Sequence, residues 1–204
     1  SVQEATEDFL WHWEGPNYQK AQVGRRIGAA NQVYNLFSAG AVTKIPEVAK
    51  KGKDPKLYFP GGIIPTASFK AETYMQSISF RNSKGVMKTV KVNASVAKDV
   101  LTALQEISEA GYEIKQIGGY SFRKKVGSNG LSSHSYGLAI DINWDYGNPF
   151  IRKGQTLSGT RYLSHELSMT EGSIPVRIME AHGWVWGGHW TNSKDYMHFS
   201  ITGD

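Results

Sequence analysis

Two short stretches of the chain hold residue types that could run chemistry. The first is Ser132-Ser133-His134-Ser135-Tyr136-Gly137-Leu138-Ala139-Ile140-Asp141. The second is Gly183-Trp184-Val185-Trp186-Gly187-Gly188-His189-Trp190, followed by Asp195-Tyr196-Met197-His198-Phe199. Strand alternation puts Asp141 on one face with Gly137 and Ala139, and Leu138, Ile140 and Ile142 on the other, ready for a core. A buried carboxylate without a partner is costly. Asp141, flanked by small side chains, therefore asks for a cation, either a basic side chain or a metal. The chain has no cysteine, so a metal would have to sit on His, Asp or Glu. Asp195 and His198 are three apart and would face opposite ways on one strand. With Asp195 in the turn before the strand and His198 within it, both can point into one cleft. His134, Asp141 and His198 then offer two imidazoles and one carboxylate, the set a catalytic zinc site uses with a fourth position left to water. Asp195 is left free as a general base. Spacing alone also fits plainer roles, because a lone histidine is more often a hydrogen-bonded structural residue than a ligand.

The elements that must position these residues can be read from pattern. Thr73–Phe80 and Met87–Val92 read as strands joined by the turn Asn82-Ser83-Lys84-Gly85. Asn93 is placed to cap a helix over Ala94–Ala110, in which Val96, Val100, Leu104 and Ile107 fall on one face and Gly111 is the stop. Further strands are expected at Tyr112–Tyr120, Gly137–Asn143, Trp184–Trp186 and Tyr196–Ile201, with a short helix at Ile174–His182. The mixture predicts an α+β fold, an antiparallel sheet with helices packed on it. The region before residue 66 is weakly patterned. Short helices at Val2–Trp13 and Ile27–Phe37 would make it a mostly helical N-terminal extension, giving a division into 1–65 and 66–204.

The 204 residues are 40 % hydrophobic and 20 % charged, a globular balance, and no apolar run is long enough for a membrane-spanning helix. The net charge of +5 is uneven. Residues 1–125 carry eighteen Lys/Arg against eleven Asp/Glu, and residues 126–204 five against seven. A basic N-terminal face suits a polyanion such as an anionic wall polymer, although a solvated positive surface explains the run equally simply. No nucleic-acid-binding motif is present, so nucleic acid is not an expected partner. A first residue of Ser rather than Met suggests excision or processing, and no signal peptide is visible.

Ser132-x-His134-x-x-Gly137-x-Ala139-x-Asp141, with Trp186-Gly187-Gly188-x-Trp190 and Asp195-x-Met197-His198-Phe199, resembles the LAS zinc peptidases over roughly residues 85–202. These include VanY-type D-alanyl-D-alanine carboxypeptidases and the L-alanyl-D-glutamate endopeptidases of spores and phage endolysins. The resemblance implies a Hedgehog-like fold, one zinc ion per chain held by His134, Asp141 and His198, and Asp195 as catalytic acid/base. It implies that Arg123 contacts substrate near the scissile carbonyl and that Ser132 binds substrate or orders the site. Trp190 is expected to wall the substrate cleft. His189 stands where relatives often carry Asp, and is expected to be an exposed loop residue or a contact at the substrate's edge. His12, His165 and His182 match no motif and are read as structural or surface residues.

The function this implies is zinc-dependent hydrolysis of peptidoglycan stem peptides, outside the cell, in the wall or periplasm, or by a phage-encoded enzyme. The rivals are a non-catalytic binding module of Hedgehog type and a structural component of a phage or spore. Retention of Asp195 and Arg123 argues for catalysis, because binding alone needs no general base.

Overall fold

The computed structural model describes residues 52–160 and 164–204. The expected helices Val2–Trp13 and Ile27–Phe37, and His12, lie outside these. The fold of the described residues is α+β, with three small antiparallel sheets among them rather than one. Strands β1 (Met75–Arg81) and β2 (Met87–Asn93) form a hairpin closed at Asn82–Gly85. Helix α1 (Ser68–Glu72) precedes it and α2 (Ala94–Glu109) follows. Asn93 caps α2 by accepting the Ser95 N–H at 2.9 Å, and Gly111 takes φ 90° just past its end. Val96, Val100, Leu104 and Ile107 are all fully buried, against a core that includes Ile78, Phe80, Val90 and Val92 of the hairpin. Tyr58 and Phe59 join the same core, and Phe59 meets Tyr74 and Tyr136 edge-on.

The central sheet has the order β3-β4-β9-β7, from Ile117–Gly118, Ala139–Ile142, His198–Ser200 and Val185–Trp186. Helix α3 (Ile174–Ala181) packs beside α2 and leads into β7. The third sheet is β6-β5-β8, from Gln155–Ser158, Phe150–Arg152 and Ser193–Asp195. Among the described residues, no helix is long and apolar enough to cross a membrane.

Three expectations are corrected. Only Ile117–Gly118 of the expected strand Tyr112–Tyr120 pairs in a sheet. Before it, the Asn143 side chain takes the place of a partner strand: its carbonyl accepts from Lys115 N and Gln116 N at 2.8 Å each, and its amide donates to Glu113 O. After it, the chain turns to β2, where Tyr120 N donates to Lys91 O. Gly137 is not in a strand but closes a 3-10 turn, Ser133–Tyr136, at φ 64°; a Cβ there would sit 2.5 Å from Asn93 N and Met75 Sδ. Finally, Asp195 does not lie in a turn but ends β8, and residues 196–197 make the turn into β9.

Candidate metal centre and cleft

The central sheet aligns Gly118, Asp141 and His198 across three adjacent strands. Asp141 and His198 are thus direct neighbours, and on the other flank of Asp141 a Cβ at Gly118 would touch the Trp144 ring at 3.6 Å. His134 arrives from the 3-10 turn, whose first N–H groups Ser132 caps: its Oγ accepts from His134 N at 3.3 Å. His134 and His198 are 2 % and 4 % exposed. Ligand atoms of the two histidines and Asp141 all lie within 4.8 Å of one another.

Hydrogen bonds on the outer side of each imidazole decide what the inner side presents. His134 Nδ1 lies 2.7 Å from the Gly119 carbonyl, and His198 Nε2 lies 3.0 Å from the Asp204 carbonyl. A carbonyl only accepts, so each of these nitrogens carries the proton. The inner nitrogens, His134 Nε2 and His198 Nδ1, then hold lone pairs when the rings are neutral. They are 3.2 Å apart, and each faces one oxygen of Asp141, at 3.2 and 3.0 Å. Four electron-rich atoms converge with no proton among them, an arrangement stable only with added positive charge. Protonated imidazoles or a cation can supply it. Burial opposes the charge on Asp141, but the two imidazoles hold its carboxyl well below the usual carboxylate range. Burial disfavours a charged His198, yet Asp141, Asp195 and the Asp204 carbonyl raise its pKa. Two imidazoles and one carboxylate, with outer N–H groups fixed on carbonyls, are the donor set and supporting shell of a zinc site. The residues present therefore fit the metal that the motifs imply.

A cleft of about 660 Å³ opens over this group, lined among others by Arg123, Ser132, Arg152, Trp190 and Asp195. The Asp195 side chain is buried at its Oδ1, which has no hydrogen-bond partner among the described residues. Burial pushes its carboxyl up to about 7; His198 and Arg123 pull it down and Asp141 raises it further. Gly187 lets the chain pass both functional strands, since a Cβ there would lie 2.6 Å from Asp195 O and 3.3 Å from His198 Cβ. Trp190 tilts against the His198 ring at 5.2 Å, with its indole N–H buried and unpartnered among the described residues. Arg123 is exposed at the rim. Its backbone is pinned by the fully buried Ser135, whose Oγ accepts from Arg123 N at 2.8 Å and donates to Arg123 O at 2.6 Å.

All seven residues singled out from the sequence thus meet at one place: His134, Asp141 and His198 at the floor, Asp195, Arg123, Ser132 and Trp190 around it. His189 is an exposed residue paired with Glu180 at 2.8 Å, although it also borders the cleft. His182 is a buried structural residue. His165 is exposed and caps a local turn by accepting from Leu167 N. Sequence reasoning missed Ser135, although it lies inside the first motif. It also missed the outer carbonyls of Gly119 and Asp204, which have no residue-type signature, and the β5–β8 wall that carries Arg152.

Residues 126–201 match the family model described as D-alanyl-D-alanine carboxypeptidase. Neither the curated proteins nor the solved structures contain a match to the chain. The matched stretch spans Ser132, His134, Asp141, Trp190, Asp195 and His198, and stops short of Arg123. Over that stretch the chain is similar to the family of D-alanyl-D-alanine carboxypeptidases, in agreement with the motifs it carries.

Proposed function

We propose that this protein is a zinc-dependent peptidase that hydrolyses peptidoglycan stem peptides, either between L-Ala and D-Glu or at terminal D-Ala-D-Ala, with His134, Asp141 and His198 as the metal ligands. One observation carries the reading: the buried His134 and His198 and the half-buried Asp141, from distant parts of the sequence, bring their ligand atoms within 4.8 Å of one another. Bound zinc would supply a Lewis acid and lower the pKa of a water toward 7. Asp195 takes a proton from the attacking water and delivers it to the leaving amine. A carboxyl that burial holds near 7 can do both at neutral pH. Arg123, rooted by Ser135, faces the charge that develops on the carbonyl oxygen. Ser132 holds the turn that aims His134, and Trp190 walls the cleft beside His198. The substrate places the enzyme at the bacterial wall, in the periplasm or outside the cell, whether made by the bacterium or by a phage. The basic residues 1–65 would hold it to anionic wall polymers.

The deciding experiment is mass spectrometry of muropeptides after digestion of purified peptidoglycan, with and without a zinc chelator. New N-termini name the endopeptidase bond, and loss of one alanine names the carboxypeptidase bond. Unchanged muropeptides from zinc-loaded protein would leave a binding module as the better reading.

A further inference from the structure

Arg152 plays no part in the reaction proposed above, yet it lines the same cleft. It comes from β5, whose register on β8 pairs Phe150 with Asp195 and Arg152 with Ser193. All four of these residues line the cleft, while Ile151 and Lys194 between them do not. The wall is thus one face of a two-strand ribbon. Arg152 stands two residues along β5 from Phe150, the position paired with the general base, or about 6.6–6.8 Å.

The guanidinium is anchored rather than loose. Its Nη1 donates to Val126 O at 3.1 Å. It also lies against Gly127, where a Cβ would sit 2.5 Å from Nη1. One of five N–H groups is spent on that anchor. Among the described residues Arg152 makes no ion pair. Of the two acids that line the cleft, Asp204 is held by Lys125 and Thr202, and Asp195 makes no ion pair with Arg152. The cleft therefore keeps a second positive fork, distinct from Arg123, with no anion to meet it. Planar guanidinium forks match carboxylates in two-point hydrogen bonding.

We infer that Arg152 binds a free carboxylate on the substrate residue next to the scissile bond, and so selects peptides that carry one. The inference rests on the peptidase reading for the position of that bond. Either cut leaves such a group on the amine side: the terminal carboxylate of D-Ala, or the α-carboxylate of a D-Glu linked onward through its side chain.

The test measures binding and hydrolysis by zinc-loaded protein with two probe pairs. One pair is diacetyl-L-Lys-D-Ala-D-Ala and its C-terminal amide; the other is L-Ala-D-Glu-L-Lys linked through the γ-carboxyl, with the α-carboxyl free or amidated. Titration calorimetry gives affinity, and the pair that shows discrimination identifies which carboxylate is read. In wild type the acid of one pair should bind about tenfold to hundredfold more tightly than its amide, the range expected for hydrogen bonds to a charged group. Arg152→Gln should bring that ratio to about one. Arg152→Lys, which keeps the charge and loses the fork, should fall between them. Equal binding of acid and amide by wild type, no binding of either acid, or a ratio that survives in Arg152→Gln overturns the inference. Hydrolysis without discrimination defeats the role of Arg152 and leaves the peptidase standing. Discrimination that depends on Arg152 without hydrolysis of either pair does the reverse.

Discussion

Two buried clusters in this molecule are built from the same materials and do opposite things. At the floor of the cleft, two imidazoles face one carboxylate. Between α2 and the end of α3, one imidazole, His182, lies between two carboxylates, Asp99 at 2.7 Å and Glu106 at 3.1 Å, while Trp184 Nε1 donates to the other Asp99 oxygen at 3.0 Å. Burial works against a charged His182, but its two carboxylate partners raise its pKa to about 9. Both ring nitrogens then carry protons, and each proton has an acceptor. That cluster is complete as it stands. At His134 and His198 the outer protons are spent on carbonyls, so with both rings neutral the inner atoms are all acceptors and the cluster needs a further proton or a cation. A proton count, rather than residue type or burial, separates a structural pin from a site that asks for a metal.

Exchanging roles between the two clusters should fail, and the largest effects come first. His134→Ala or His198→Ala should empty the site and abolish turnover, whereas His182→Ala should leave zinc at one per chain; elemental analysis beside a peptidase assay reads both. Full zinc occupancy in either cleft variant would remove that histidine from the ligand set. Asp195→Ala keeps the three ligands and should keep the metal, while kcat falls by about 10²–10⁴, the usual contribution of general acid–base catalysis. A parallel loss of zinc would make Asp195 a ligand. Arg123→Ala should retain zinc and lose about 10²–10³ in kcat, the cost of removing one donor from a developing oxyanion. A near-normal kcat would show that the exposed guanidinium does not reach the reacting carbonyl.

The same contrast explains what could be read from the sequence. The helix over Ala94–Glu109 was legible because its cap, its apolar face and its glycine stop are all local. The candidate ligand set was legible because the motifs around His134, Asp141 and His198 resemble those of the zinc peptidases. Their meeting depends on the register Gly118–Asp141–His198 across three strands, which no local pattern encodes. The β5–β6 hairpin was missed for a physical reason. Every residue of β6 is exposed, so no apolar alternation marks it. Its one signal is the turn Lys153-Gly154, with φ 49° and 75°, the left-handed pair of a tight hairpin. Asn143 misled in the other direction. It sits at φ 54° and satisfies three backbone groups of 113–116 with one amide, so a strand-like sequence never acquires a partner strand.

Stability, which leaves turnover aside, tests the structural cluster by itself. His182→Ala leaves Asp99 and Glu106 without their cation, Asp99 keeping only its bond from Trp184, which should cost about 3–5 kcal/mol of stability in denaturant unfolding of the zinc-loaded protein. pH offers a gentler probe of the same pin. Because the folded-state pKa of His182 is raised, from 6.5 to about 9, its contribution is fully present below pH 6.5 and is lost as pH rises through 9. The shift corresponds to on the order of 3 kcal/mol. Wild-type stability should therefore decline between pH 6.5 and 9 more steeply than that of His182→Gln, which cannot titrate. The comparison is made at saturating zinc, so that release of the metal does not enter. Parallel curves for the two proteins would mean that His182 is neutral when folded. The proton count that separates the two clusters would then be wrong at its simpler end.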